Sequence, residues 1–483
     1  MVRMTDSPPR RRRTRLVVAA SVAVALGAGA LGVGAALGRD AEPAAAPVRT
    51  STPSASAAET PTSAPTPTAV PSVPQAPEPV RTCSVAEAAA DPRLGAMQAR
   101  VVEAATGEVL FDRGGAIASR TASALKILTA ASALAVLGPE TRIATTVVRG
   151  EEPGSVVLVG GGDLTLSRLP SGQESFYAGA AHLDDLAARV ESAWDADPAT
   201  AGTPITSVVL DASLYSGETW QPSWNRKEQT DGYMPEITAL QVDGDRADPT
   251  ASTSERGTDP IGRAGEAFAA ELSSAPAVSR GPAPAGATVL GSVESAPVSA
   301  LVQQMLLVSD NAVAEMLARL VAIRTGAGSD FAAEQSGVLQ GLETYGIDTT
   351  GIDTAGIVLA DGSGLSDDNA VPPAYFTSLL RAVQARQGDL GILLDGLPVA
   401  GRTGSLSYAD RFAGENAVAH GAVLAKTGWI DTGYTLAGIV NAQDGTALTF
   451  AVYALGAVDA SAKTAIDTLV TGFHRCGGSL SDS

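Results

Sequence analysis

The sequence predicts a mixed α/β (α+β) fold into which a large, mainly β module is inserted. Three observations predict it. Short strand-like segments on either side of Thr106-Gly107 lead into an alanine-rich helical run; the end of the chain reads as neighbouring strands followed by one helix; and the long interval between about Thr141 and Pro297 changes to short strands and turns. With 483 residues and a hydrophobic content of 45%, the chain is long enough for two or three domains with a sizeable core.

Taken in order, Ala99-Arg100-Val101-Val102 and Val109-Leu110-Phe111 make a hairpin around the turn at Thr106-Gly107. A helix then starts near Ser123, continues to about Leu137 and stops at Gly138-Pro139. In the middle interval Thr145-Thr146-Val147-Val148, Ser155-Val156-Val157-Leu158-Val159 and Ser207-Val208-Val209-Leu210 read as strands, interrupted by one amphipathic helix from about Leu183 to Ala193. Val298 to Leu307 and Asn311 to Arg324 are helical by apolar spacing. The polar triplet Ser309-Asp310-Asn311 between them is made of good N-cap residues and, taken alone, caps the second helix. Ala422-Val423-Leu424-Ala425-Lys426-Thr427-Gly428 is a strand, Tyr434 to Val440 and Leu448 to Leu455 are its neighbours, and the helix Ala460 to Phe473 closes the fold. The boundaries that follow are 83–140 with 298–483 for the main folded body and 141–297 for the inserted module.

Aromatic residues make up only 4% of the chain, so alanine, valine and leucine must fill the interior, and no aromatic stripe suggests base stacking. The formal charge of −19 argues against nucleic acid or an anionic membrane surface as a partner, because phosphate binding needs clustered lysine and arginine. The one basic cluster, Arg10 to Arg13 with Arg15, precedes an uncharged run from Leu16 to about Leu37. Residues 1–38 therefore read as an export segment, either a signal-anchor or a cleaved signal peptide. Residues 39–82 are rich in Pro, Ala, Ser and Thr, cannot bury a core, and form a disordered spacer. Cys83 and Cys476 are the only cysteines and lie at the two ends of the folded part; in an exported protein this favours a disulfide between them, and neither has a metal-ligand spacing.

Chemistry concentrates in Thr121-Ala122-Ser123-Ala124-Leu125-Lys126. A serine and a lysine at i and i+3 share one helix face, which brings a hydroxyl and an amine within hydrogen-bond reach. Lysine is scarce: Lys126, Lys227, Lys426 and Lys463 are all there are. An amine that is desolvated loses its proton readily, whereas arginine stays charged and cannot act as a base. Arg402-Thr403-Gly404 is a rival to Lys426-Thr427-Gly428 but lacks the preceding strand. Gly160 to Gly162 reads as a tight turn, since no Gly-Lys-Ser/Thr follows.

Ser123-x-x-Lys126, Ser309-Asp310-Asn311 and Lys426-Thr427-Gly428, in this order, resemble the three-part signature of penicillin-recognising serine enzymes. Val159 to Ser167, Asp310 to Leu317, Asp361-Gly362-Ser363-Gly364-Leu365-Ser366 and Leu397 to Gly401 narrow the likeness to the D-alanyl-D-alanine carboxypeptidase/endopeptidase family, the class C penicillin-binding proteins, over roughly Met97 to Phe473. The resemblance implies a penicillin-binding-protein/β-lactamase-like transpeptidase fold, with a helical subdomain beside an antiparallel sheet covered by helices, and a module inserted between the first and second motifs. It implies carboxypeptidase or endopeptidase action on peptidoglycan stem peptides ending in D-Ala-D-Ala, inhibition by β-lactams, no cofactor or metal, and a place outside the cytoplasm on the cell-wall side, membrane-anchored or secreted.

By the same resemblance Ser123 is the nucleophile, Lys126 its base with a pKa lowered by an apolar helix and by Lys426, and Ser309 the relay to the leaving amine. Asn311 meets the substrate amide, Lys426 and Thr427 hold the terminal carboxylate, and backbone N–H groups of Ser123 and Trp429, the residue after Gly428, form the oxyanion hole. His182, His420 and His474 fit no motif. Two residues depart from the family. Trp429 stands where a small hydroxyl residue is usual, which removes a contact to the carboxylate and narrows the cleft. Asp367 stands where an arginine is frequent, which disfavours an acidic group on the peptide's diamino acid. Asp211 resembles the position that meets the side-chain amine, or else it caps a turn at a strand end. Two other readings remain: a β-lactamase, although no Glu-x-x-Leu-Asn stretch supplies a deacylating base, or a cell-wall-binding protein whose site is impaired by Trp429.

Overall fold

The computed structural model describes residues 81–482; the expected export segment, and all but the last two residues of the expected spacer, lie outside the described residues. Strands β1 (Gln98–Glu103) and β2 (Val109–Arg113) form the hairpin, and a 3₁₀ turn, Ala122–Leu125, runs directly into helix α1 (Lys126–Val136). The middle interval contains β3 (Ala144–Arg149), β4 (Ser155–Val159), α2 (Leu183–Ala196), β5 (Ser207–Asp211), α3 (Pro260–Glu271), β6 (Ala277–Arg280) and β7 (Val289–Glu294). Helices α4 (Val298–Val308), α5 (Asn311–Thr325), α6 (Phe331–Glu343) and α7 (Pro373–Gln384) follow, then β8 (Val423–Ile430), β9 (Gly433–Asn441), β10 (Ala447–Leu455) and α8 (Ser461–Cys476).

Strand order in the main sheet is β2-β1-β10-β9-β8, antiparallel throughout. Side chains alternate between its faces, and both faces are covered. Ala437, Ile439, Ala451 and Tyr453 join the helical cluster built on α1, α4, α5 and α7. Leu436, Val440, Phe450 and Val452 join the opposite cluster under α8. This is why β9 and β10 read as near-continuous apolar runs. The same alternation fixes the chemistry of β8: Val423 and Ala425 face α8, so Lys426 points toward α1 and α4. Helix α1 is buried on every side, as expected of a central helix without charged residues beyond Lys126.

The second sheet, β6-β5-β4-β3-β7, has its own core around Val147, Leu158, Val190, Trp194, Val208 and Phe268. β4, β5 and β6 run parallel, an arrangement that requires long crossovers, and α2 and α3 supply them. The sequence reading placed a single helix in this interval. It did not include α3. Pro260 sits in the first turn of the helix and the Asp259 carboxylate caps it, accepting the Gly262 N–H at 2.9 Å.

Cys83 and Cys476 are disulfide-bonded across a sequence separation of 393. Beside them Cys83–Ser84 pairs with Leu480–Ser481 as a two-stranded parallel ribbon. No helix among the described residues is long and apolar enough to cross a membrane.

Candidate active site

Ser123 sits in the 3₁₀ turn ahead of α1, next to Ala122, whose φ of 43° is in the left-handed region. A residue with a Cβ pays for that conformation, about 1–2 kcal/mol, so the surroundings must hold it. They do. The Thr435 hydroxyl of β9 donates to the Thr121 carbonyl at 2.7 Å. Gly364 and Gly428 close in from two sides: a Cβ on Gly364 would lie 1.9 Å from the Ala122 carbonyl oxygen, and one on Gly428 would lie 2.9 Å from the Ser123 nitrogen. The backbone of β8 thus packs directly on the turn that carries Ser123.

Lys126 is fully buried. Its Nζ lies 3.0 Å from Ser123 Oγ, 2.7 Å from Asn311 Oδ1 and 2.7 Å from the Ser363 carbonyl oxygen. Burial pushes its pKa down to about 8, against the charges of Asp361, Glu315 and Asp310, which raise it. Nζ donates to all three oxygens; once the amine loses its proton, two N–H groups suffice for the two carbonyl oxygens and the lone pair can turn to the Ser123 hydroxyl. Lys426, also fully buried, donates to Ser309 Oγ at 2.8 Å and to the Thr427 carbonyl at 2.8 Å. Burial, and then the charge of Lys126, drive its pKa well down. Burial is the first cause at both lysines, and the proximity of the two amines disfavours having both charged at once.

The triplet between α4 and α5 serves structure and site together. Asp310 caps α5, accepting the Val313 N–H at 2.9 Å, and its other oxygen takes Arg246 Nη2 at 3.0 Å and the Tyr177 hydroxyl at 3.3 Å. Burial raises the Asp310 pKa, but Arg246 and Arg256 outweigh it and hold the carboxyl below the usual range. Ser309, at a φ of 61°, ends α4 in the left-handed region. With Asp310 turned inward, Ser309 and Asn311 on either side line a cleft of about 570 Å³ together with Ser123, Thr427, Gly428 and Trp429.

Trp429 does not close this cleft. Its side chain is 55% exposed and its ring lies 6.4 Å from that of Tyr434. Asp367 lines the cleft, its Oδ1 accepting the Thr432 hydroxyl at 2.8 Å. Asp211 is not among the lining residues. Its two oxygens accept the Ser213 N–H at 2.9 Å and the Ala283 N–H at 2.7 Å, which caps the turn at the end of β5. His182, His420 and His474 each face a backbone carbonyl away from the cleft. Gly160 and Gly161 permit close backbone packing, since a Cβ on either would lie within 2.3 Å of a carbonyl oxygen.

Several contributors were not visible in the sequence. The Ser363 carbonyl reaches Lys126 because Asp361 accepts the Gly364 N–H at 2.7 Å and the Ser366 N–H at 2.6 Å, folding that loop around α1. The rival triplet ending in Gly404 leads into Ser405, which lines the same cleft. Tyr233, Tyr408 and Tyr434 join Trp429 in its wall from separate stretches of the chain, which no linear aromatic stripe could announce.

A family model described as the D-Ala-D-Ala carboxypeptidase 3 (S13) family matches residues 82–272 and 252–475. Among curated proteins, carboxypeptidase DacB of Mycolicibacterium smegmatis is 37% identical over 400 residues, 82% of this chain and 84% of that protein. Among solved structures, penicillin binding protein 4 (dacB) of Haemophilus influenzae superposes with a TM-score of 0.64 at 19% identity, covering 78% of this chain and 96% of that one. The same protein complexed with a novel β-lactam gives 0.58 at 19% identity, over 77% and 94%. The structural likeness shows the fold and the sequence match shows the lineage: the chain belongs to the D-Ala-D-Ala carboxypeptidase 3 (S13) family.

Proposed function

We propose that this serine-type D-Ala-D-Ala carboxypeptidase acts on peptidoglycan stem peptides outside the cytoplasm, held there by its N-terminal segment, and that Ser123 carries the acyl group. The observation that supports it is the placement of the Ser123 hydroxyl 3.0 Å from a buried lysine whose other partners are two carbonyl oxygens. Neutral Lys126 takes the Ser123 proton as Oγ attacks the carbonyl of the penultimate D-alanine. Backbone N–H groups of Ser123 and Trp429 receive the developing oxyanion, and Ser309, bonded to Lys426, passes a proton to the departing D-alanine. Water then attacks the ester and restores Ser123. Asn311 bonds the substrate amide, and Lys426 and Thr427 hold the terminal carboxylate. The inserted module, 141–297, lends Tyr233 and Glu228 to the cleft wall.

Intact-mass analysis with benzylpenicillin tests this reading. A persistent adduct of one drug mass on the wild type, absent from Ser123→Ala, is expected. Drug consumed without an adduct points to a β-lactamase, and drug left untouched points to an impaired wall-binding protein. Asp367 in the cleft wall favours peptides whose diamino acid is amidated at, or lacks, its distal carboxylate. Turnover of the amidated peptide should exceed that of the free acid; equal or reversed rates reject this preference.

A further inference from the structure

With Trp429 after Lys-Thr-Gly, strand β8 lacks the second hydroxyl that a terminal carboxylate would meet there. Another hydroxyl stands nearby. Ser405, on the 3₁₀ turn Gly404–Ser407, places its Oγ 2.7 Å from Oγ1 of Thr427, and both residues line the cleft beside Ser309 and Ser123. The turn is pressed against the end of α4: Gly404 has a φ of 57°, and a Cβ on it would lie 2.6 Å from the Leu307 carbonyl oxygen. Leu406 is fully buried, and its carbonyl accepts the Gly401 N–H at 2.9 Å. The Ser405 hydroxyl is therefore held in place by the turn's anchors and not by a loose surface loop.

We propose that Ser405 binds the terminal carboxylate of the substrate, replacing the hydroxyl missing after Lys-Thr-Gly. The inference rests on the reading that this cleft accepts a peptide ending in a carboxylate. In the free protein one of the two hydroxyls must donate to the other, which leaves a single proton for the cleft. A carboxylate only accepts, through about four lone-pair sites, and a hydrogen bond to it is roughly twice as strong as one between neutral groups. Its arrival turns both protons outward, one from the strand and one from the turn. Lys426, bonded to the Thr427 carbonyl and to Ser309 Oγ, fixes the strand that carries Thr427.

The test is the kinetics of Ser405→Ala and Ser405→Thr on an N-acylated peptide ending in D-Ala-D-Ala, with its C-terminal amide measured as a competitive inhibitor. Loss of one charge-assisted hydrogen bond should raise KM for the free acid about tenfold in Ser405→Ala, with kcat within about twofold. Ser405→Thr should recover most of it. Inhibition by the amide, which offers no anion, should be the same for wild type and Ser405→Ala. An unchanged KM, or an equal weakening of acid and amide, overturns the proposal; in the second case Ser405 merely shapes the cleft. The benzylpenicillin adduct on each variant separates the two levels. An adduct on wild-type Ser123 with no change in KM defeats this inference alone, whereas no adduct on the wild type removes the reading beneath it.

Discussion

Lys126 sets the pH behaviour of the site. A pKa of about 8 leaves roughly a tenth of the amine neutral at pH 7 and most of it neutral above pH 9. The base is active when deprotonated, so kcat/KM for a D-Ala-D-Ala peptide should climb with pH through a midpoint near 8 and then level off. Glu315 tests the origin of that midpoint. Its own pKa is raised by burial to about 8, its Oε2 accepts the Gly362 N–H at 3.2 Å, and its charge raises that of Lys126. Removing the charge in Glu315→Gln should move the midpoint to lower pH. A pH profile that stays in place would mean that burial, Asp361 and Asp310 set Lys126 without Glu315.

At the scale of elements, the second motif depends on the inserted module. Arg246 is fully buried, bonds Asp310, receives support from the Tyr177 hydroxyl at 2.7 Å, and lies 4.0 Å over the Phe176 ring. Arg246→Met would leave Asp310 as a buried charge without its ion-pair partner, a loss of about 3–5 kcal/mol. Thermal unfolding should show it as a large fall in Tm. Combining the change with Asp310→Asn, which removes the charge and keeps an N-cap, should restore most of the stability; no recovery would place the role of Arg246 in packing instead. Little of this was legible from sequence. Ser309-Asp310-Asn311 declared its cap and its motif, but Arg246 lies 64 residues away in an interval that no periodicity links to it. The strands at 423–455 were legible because their runs are apolar and uninterrupted, and Ser123 and Lys126 because a serine three residues before a scarce lysine is a local pattern. The pattern at Asp211 could not choose between its two readings, because a strand-end aspartate looks the same whether it meets a ligand or two backbone amides.

For the molecule as a whole, the division of labour is that one sheet, covered on both faces, fixes β8 while helices on one side bring Ser123 and Ser309 to it. The order of the motifs in sequence is unrelated to their distance in space, since Lys126 and Asn311 are 185 residues apart and hydrogen-bonded. The acidic balance of −19 leaves the two site lysines among the few cations of that kind, and both are fully buried. The cysteine pair adds a property of a different sort. Because Cys83 and Cys476 are covalently joined, all the catalytic motifs lie on a closed ring of chain. A protease that cuts a surface loop anywhere on that ring produces one molecule with a nick, not two fragments that drift apart. In a compartment exposed to foreign hydrolases, the enzyme can be clipped and still keep its parts together for as long as that bond stays oxidised.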